Sequence, residues 1–105
     1  MKQLYAADRE QWRQWLSLHH ATETGMWLVF YKKETAKPTI EYEAAVEEAL
    51  CFGWIDGVVK KIDDARYARK FTPRRNSSGW SALNKKRAAK MIRQGKMTEA
   101  GLAKI

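Results

Sequence analysis

The sequence predicts one α+β domain: a small, mostly antiparallel sheet of three or four strands with helices packed on one face. Segments typical of helices and strands do not alternate regularly along the 105 residues, which argues against a doubly wound parallel sheet. Two segments rich in β-formers, 54–62 and 66–72, flank the short polar stretch 63–65 and predict a hairpin. The length suits a single domain over residues 1–105, and a hydrophobic content of 45% supports a core without a disulfide or a structural metal.

Two amphipathic helices are predicted in the first half of the chain. The first runs from Asp8 to His20, with Asp8 as its cap and Gln11 placed to complete a capping box. The second ends at Gly53, and its apolar stripe consists of Ala45, Val46, Ala49 and Leu50. Its glutamates are expected to lie outside that stripe: Glu43, Glu47 and Glu48.

The strands are predicted from short apolar runs. Residues 26–31 form a continuous apolar and aromatic run, which indicates a central strand largely buried on both faces. A short strand is possible at 3–6, and the hairpin supplies the rest of the sheet. Trp12, Trp15, Trp27 and Trp54 all fall at positions assigned to the core, whereas Tyr67, at the edge of the hairpin, is the best candidate for an exposed aromatic residue.

A third helix is predicted from about Trp80 to Gln94, capped by Ser77 or Ser78, and Thr98 can cap a short fourth helix. The inner stripe of the third helix is mixed, because Asn84 and Arg87 share it with apolar residues.

The charge is divided unevenly along the chain. Residues 1–57 contain 6 basic and 9 acidic residues, whereas residues 58–105 contain 14 basic and 3 acidic residues. Such a division indicates a positive face that attracts phosphates or an acidic partner, although a lysine-rich solvated surface is the simpler interpretation. The sequence has no transmembrane run or signal peptide, and its only cysteine is Cys51, so we expect no membrane insertion and a cytoplasmic location.

Three separated blocks resemble the bacterial YdeI/OmpD-associated family in order and spacing: residues 47–57 (EEALCFGWIDG), 71–75 (FTPRR) and 80–87 (WSALNKKR). Flanking positions from Asp8 onward also agree, so the resemblance covers nearly the whole chain. It implies a bacterial protein connected with envelope stress, or with tolerance to bacteriocins and cationic peptides. It carries over no catalytic residues. Many relatives continue into a second helical region, so this chain corresponds to a short member or to the N-terminal module.

The first candidate site is the loop that leads into the third helix. Arg74 and Arg75 can make bidentate contacts to an anion, and the helix N-terminus after Ser77 and Ser78 favours negative charge, with Trp80 as an apolar wall. The alternative is a plain serine cap beside two solvated arginines.

The second candidate site is formed by Asn84 and Arg87 with Asp56 as counter-charge. Because a buried guanidinium needs a partner, these residues form either a structural ion pair, which we favour, or the lining of a ligand cleft.

No catalytic residue, metal site or cofactor is predicted. Cys51 is expected to be inert at the C-terminal end of a helix, and adjacent His19 and His20 cannot form a metal site alone. The predicted function is therefore a non-catalytic binding module for an anion, a polyanion or an acidic protein partner. Two alternatives remain open. One is a small enzyme with a cleft at Asp56, Asn84 and Arg87. The other is a nucleic-acid-binding protein that uses the basic residues of the hairpin region: Lys60, Lys61, Arg66, Arg69, Lys70, Arg74 and Arg75.

Overall fold

The computed structural model describes residues 2–75 and 79–105. The strands are β1 (Gln3–Tyr5), β2 (Met26–Tyr31), β3 (Trp54–Lys61) and β4 (Arg66–Pro73). The helices are α1 (Arg9–His19), α2 (Tyr42–Cys51), α3 (Ala82–Arg93) and α4 (Glu99–Leu102), and a 3-10 turn lies at Lys33–Thr35. The strands and helices agree with the predicted α+β class.

The four strands form one sheet in the order β1-β2-β4-β3. β1 and β2 run parallel because α1 connects them as a crossover, whereas β2 with β4 and β3 with β4 are antiparallel pairs. β2 is therefore a central strand, as predicted. The register of β3 shifts between Asp56 and Val59, which is a bulge opposite β4.

All the helices pack on one face of this sheet. The core joins side chains of α1, α2 and α3, such as Trp12, Leu50 and Met91, to strand residues Leu28 and Phe71. On antiparallel strands, directly paired residues point to the same face, so the other face is identified by the pair Val29 and Ala68. Both of these side chains are buried, yet neither belongs to the core. The prediction of helices on one face is confirmed.

The short helix α4 is held against the C-terminal end of α2. Thr98 donates its backbone N–H to the carbonyl of Cys51 at 3.1 Å, and its hydroxyl bonds the same oxygen at 2.5 Å. A Cβ at Gly101 would lie only 2.4 Å from that carbonyl oxygen and 2.7 Å from that of Leu50. The close approach therefore requires glycine at position 101. Gly53 ends the α2 region with φ +77°, as expected for a helix stop.

The predicted caps are partly correct. Asp8 caps α1 by accepting from the backbone N–H of Gln11, and Thr98 caps α4. The start of α3 was predicted wrongly: the helix begins at Ala82 rather than Trp80, and Ser81 is its cap, accepting from the N–H of Asn84. Ser81 suits the cap because it takes an extended backbone immediately before the first helical residue.

Two of the three α2 glutamates, which were predicted only to lie outside the apolar stripe, are buried. Glu48 is fully buried and accepts hydrogen bonds from Arg9, Arg13 and Lys96 at 2.7–3.0 Å. Glu47 is also buried and accepts from Arg9 at 2.9 Å and Lys90 at 2.8 Å. α2 packs against α1, α3, α4 and β3, so its polar side is covered by basic side chains rather than by water.

Candidate polyanion-binding face

The sheet face that the helices leave uncovered is the open sheet face. Residue pairing across the four strands assigns its members. One row crosses the sheet as Tyr5, Val29, Ala68 and Lys60. A row on one side pairs Gln3, Trp27 and Lys70, and the row on the other side pairs Tyr31 with Arg66. The face thus presents aromatic rings and basic groups around a small apolar centre.

Trp27 is the largest side chain of the open sheet face. It is only partly buried and lies outside the core, so its assignment to the core was wrong. Lys60 extends across β4 and places its ammonium nitrogen 4.4 Å from the centroid of the Trp27 ring. This is a cation–π contact, and it also explains how Ala68 becomes buried without any helix above it.

A second aromatic group occupies the other end of β2. Tyr5 and Tyr31 make an edge-to-face contact with centroids 5.2 Å apart, and Tyr5 is 44% exposed. The ammonium nitrogen of Lys37 lies 5.6 Å from the Tyr31 ring centroid. The hydroxyl of Tyr5 donates to the carbonyl of Pro38, which holds the loop that carries Lys37 beside this ring pair.

The electrostatics of the open sheet face are one-sided. None of the strand residues that point to it is acidic. Arg66 pairs with Asp63 of the hairpin turn at 2.9 Å. Lys60 and Lys70, by contrast, have no carboxylate within 4.0 Å in the part of the chain that the structure describes. Their charges are available to an external anion.

The basic residues of the hairpin are divided between the two faces of the sheet. Lys60, Arg66 and Lys70 lie on the open sheet face, whereas Lys61 and Arg69 point to the other face. The guanidinium of Arg69 lies 4.3 Å from the centroid of the Tyr42 ring, and its buried Nε has no hydrogen-bond partner among residues 2–75 and 79–105.

In the loop before α3, the first arginine contacts other groups of the protein and is not free to meet a ligand in solvent. Arg74 is buried, its guanidinium lies 4.0 Å from the Trp80 ring centroid, and it donates to the carbonyl of Gly79 at 3.1 Å. Burial lowers the pKa of Arg74. Its Nε has no partner in the described chain, and Arg75 is exposed. Ser77 and Ser78 lie outside the described residues, so an anion site in this loop stays a prediction.

The second candidate site contains a structural ion pair with a different carboxylate. Arg87 donates through Nε and Nη2 to the two oxygens of Glu43, each at 2.8 Å, and through Nη1 to the Oδ1 of Asn84 at 2.8 Å. The predicted counter-charge was therefore wrong, because Asp56 instead accepts from the hydroxyl of Tyr42 at 2.7 Å. Burial, together with this hydrogen bond, raises the pKa of Tyr42. Asn84 and Arg87 do come together, as predicted.

Tyr67 is not an exposed platform. Its ring stacks on Phe30 with centroids 5.3 Å apart, on the helix side of the sheet. The aromatic residues that sequence reasoning missed are Tyr5, Trp27 and Tyr31. For the two rings of β2 the available signal was their spacing of four, because Trp27 and Tyr31 then share one face of the strand, as Arg66 and Lys70 do on β4.

Cys51 is buried, and burial raises the pKa of its thiol, so the thiolate is disfavoured. Across residues 2–75 and 79–105, no group of three or more His, Cys, Asp or Glu side chains could hold a metal ion. Within the same ranges, no helix is long and apolar enough to cross a membrane.

Comparison with known proteins gives a family without a described activity. No curated protein and no solved structure matches the chain. One family model, described as a domain of unknown function, DUF8412, matches residues 4–104. Since the match covers nearly every element from β1 to α4, the chain belongs to the DUF8412 family.

Proposed function

We propose that the protein is a non-catalytic binding module for a polyanion and that the open sheet face is its binding surface. The observation that carries the proposal is that Lys60 and Lys70 project from a sheet face on which no strand residue is acidic, and that neither has a carboxylate partner in the described chain. Unpaired cations on a broad surface suit a chain of phosphates, because each contact releases a condensed counterion.

The rest of the charge distribution supports this surface. The formal net charge is +8, which speeds the encounter with any polyanion. Several other cations are already engaged by the protein's own carboxylates. Arg9, Arg13, Lys90 and Lys96 surround the two buried glutamates of α2, and Arg87 pairs with Glu43. Those groups hold the helices together.

Charge reversal at two positions tests the proposal. Lys60→Glu/Lys70→Glu alters the open sheet face, and Lys85→Glu/Lys86→Glu alters exposed residues of α3. Both variants change the net charge equally, so a nonspecific field effect would affect them equally. Binding is measured by fluorescence anisotropy with a labelled single-stranded oligonucleotide and with inorganic polyphosphate as competitor, across a salt series.

We expect the sheet variant to bind more weakly than the wild type. Its slope of log affinity against log salt should be smaller by roughly 1.4, because each phosphate of a single strand that a lysine neutralises accounts for about 0.7 of the slope. The α3 variant should keep the wild-type slope. Equal losses of affinity in both variants, or no polyanion binding by the wild-type protein near physiological salt, would contradict the proposal.

The biological setting that we propose rests on the resemblance to the YdeI/OmpD-associated family. It is a cytoplasmic role in a bacterium under envelope stress or exposed to cationic peptides. A strain lacking the protein should then survive such peptides less well, and the wild-type protein should restore survival where Lys60→Glu/Lys70→Glu does not. Equal survival of all strains would contradict this biological role but would leave the binding proposal intact.

A further inference from the structure

Trp27 differs from the other four tryptophans of the chain, all of which lie in the described residues. Trp12 and Trp54 are buried in the core, Trp15 stacks on Trp12 with centroids 5.5 Å apart, and Trp80 lies against Arg74. Trp27 instead lies outside the core, and its ring is covered by the Lys60 side chain. A large aromatic ring thus lies on a basic face, and a flexible lysine side chain lies over it.

We infer that the polyanion is a single-stranded nucleic acid, one base of which stacks on Trp27 when Lys60 swings away to meet a phosphate. This inference rests on the proposed function and names its ligand. Lys60 can leave the ring because no carboxylate in the described chain holds its ammonium group, and its four-carbon stem is flexible. A base offers the indole a full π face, which is a stronger partner than a solvated ammonium group.

The open sheet face offers a second aromatic position for the same strand. Tyr31 is four residues from Trp27 on β2, which places their Cα atoms about 13 Å apart along the strand at roughly 3.3 Å per residue. It repeats the arrangement at Trp27, because a lysine, Lys37, again lies over its ring. Two such positions on one strand favour an extended ligand with unpaired bases over a compact anion.

The chemistry of this face also separates single strands from the other polyanions. Duplex bases are stacked on one another and cannot lie on a protein ring, whereas polyphosphate and an acidic peptide have no base to stack. All of these ligands would meet Lys60 and Lys70, but only a single strand would also use Trp27. The contribution of the ring is therefore specific to the ligand.

The test compares Trp27→Leu, which removes the ring, with Trp27→Phe, which keeps an aromatic face. Each protein is titrated into a labelled single strand of roughly 12 nucleotides, into the same strand annealed as a duplex, and into polyphosphate and polyglutamate. Thermal unfolding midpoints of the variants establish that they are folded at the temperature used. If Trp27→Leu does not fold, quenching of the wild-type tryptophan fluorescence, compared with that of Trp27→Phe, gives the same information.

The expected result is that Trp27→Leu weakens single-strand binding about tenfold, the loss of one stacked base, and leaves polyphosphate binding unchanged. Trp27→Phe should retain most of the single-strand affinity. If single strands, duplexes and polyphosphate bind equally and Trp27→Leu changes nothing, this inference is overturned and the polyanion-binding function stands. If polyglutamate alone binds, the ligand is an acidic protein and the inference is again overturned. If no polyanion binds, both proposals fail.

Discussion

Removing the charge of Glu48 tests whether buried ion pairs hold the helices together. Glu48 is completely buried and accepts hydrogen bonds from Arg9, Arg13 and Lys96, which come from α1 and from the segment that follows α3. Glu48→Gln preserves the shape of the side chain but leaves Arg13 and Lys96 without their carboxylate partner and Arg9 with Glu47 alone. The amide NH2 of glutamine would also face a donor instead of accepting from it.

The cost follows from the number and burial of these contacts. Breaking a buried ion pair by neutralising one partner costs about 3–5 kcal/mol, because the remaining charge stays desolvated. Each kcal/mol lowers the melting temperature of a domain this size by roughly 4 °C or more, so Glu48→Gln should lower it by at least about 12 °C. Lys96→Met removes only one partly exposed donor from Glu48 and should cost about 1–2 kcal/mol.

Chemical unfolding in urea, with thermal unfolding followed by circular dichroism, measures both variants. Glu23→Gln is the matched control, because Glu23 is exposed and takes part in none of the ion pairs found in the described chain. Its effect should stay within about 0.5 kcal/mol. If Glu48→Gln unfolds within about 1 kcal/mol of the wild type, the buried carboxylate does not stabilise the helices and the reasoning is refuted.

Three further predictions concern stability and reactivity. Burial raises the pKa of Glu48, but the hydrogen bonds from its basic partners outweigh burial and hold the pKa below 4.5. The ionised carboxylate therefore contributes its full stability above that pH, and the contribution is lost as the pH falls further. The free energy of unfolding should depend less on pH in the acid range in Glu48→Gln than in the wild type. Gly101→Ala should destabilise the protein by about 1–3 kcal/mol in urea unfolding, because the added Cβ would overlap the carbonyl oxygen of Cys51. An unchanged unfolding midpoint would contradict the close approach of α4 to the end of α2. The thiol of Cys51 should react with a soluble maleimide only at the rate of unfolding, so a rapid reaction in the native protein would contradict its burial.

Local signals in the sequence predicted most of the fold. The hairpin was predicted because the stretch 63–65 has polar turn chemistry between two β-rich segments, and the structure makes these segments β3 and β4. α1 was predicted from Asp8 and Gln11, and the Asp8 side chain accepts from the backbone N–H of Gln11, as the capping pattern requires. Such features depend on residues a few positions apart, so the sequence shows them directly.

The open sheet face was harder to predict because β2 is apolar on both sides. Met26, Leu28 and Phe30 face the helices, whereas Trp27 and Tyr31 face away, but all five residues are hydrophobic or aromatic. The pattern therefore lacks the alternation that would separate a covered face from an open one. Only the pairing with β4 separates them, and that pairing links residues about 40 positions apart in the sequence.

The burial of two glutamates was missed for a related reason. Helical spacing placed Glu47 and Glu48 outside the apolar stripe of α2, and glutamate is almost never fully buried unless it is paired. Their partners on α1, Arg9 and Arg13, lie four residues apart and so share one helix face, which is the pattern that predicts a common acidic target. The identity of that target depends on how α1 packs against α2, and a residue pattern within one helix does not reveal that packing.

The buried network and the open sheet face give the basic residues two separate functions. The carboxylates of α2 pair with five basic side chains on the helical side of the sheet: Arg9, Arg13, Arg87, Lys90 and Lys96. On the open sheet face no strand residue is acidic, and Lys60 and Lys70 have no carboxylate partner in the described residues. An anion approaching the sheet therefore meets uncompensated charge beside aromatic rings. Mutations that impair folding and mutations that impair binding should for this reason fall on opposite sides of the sheet.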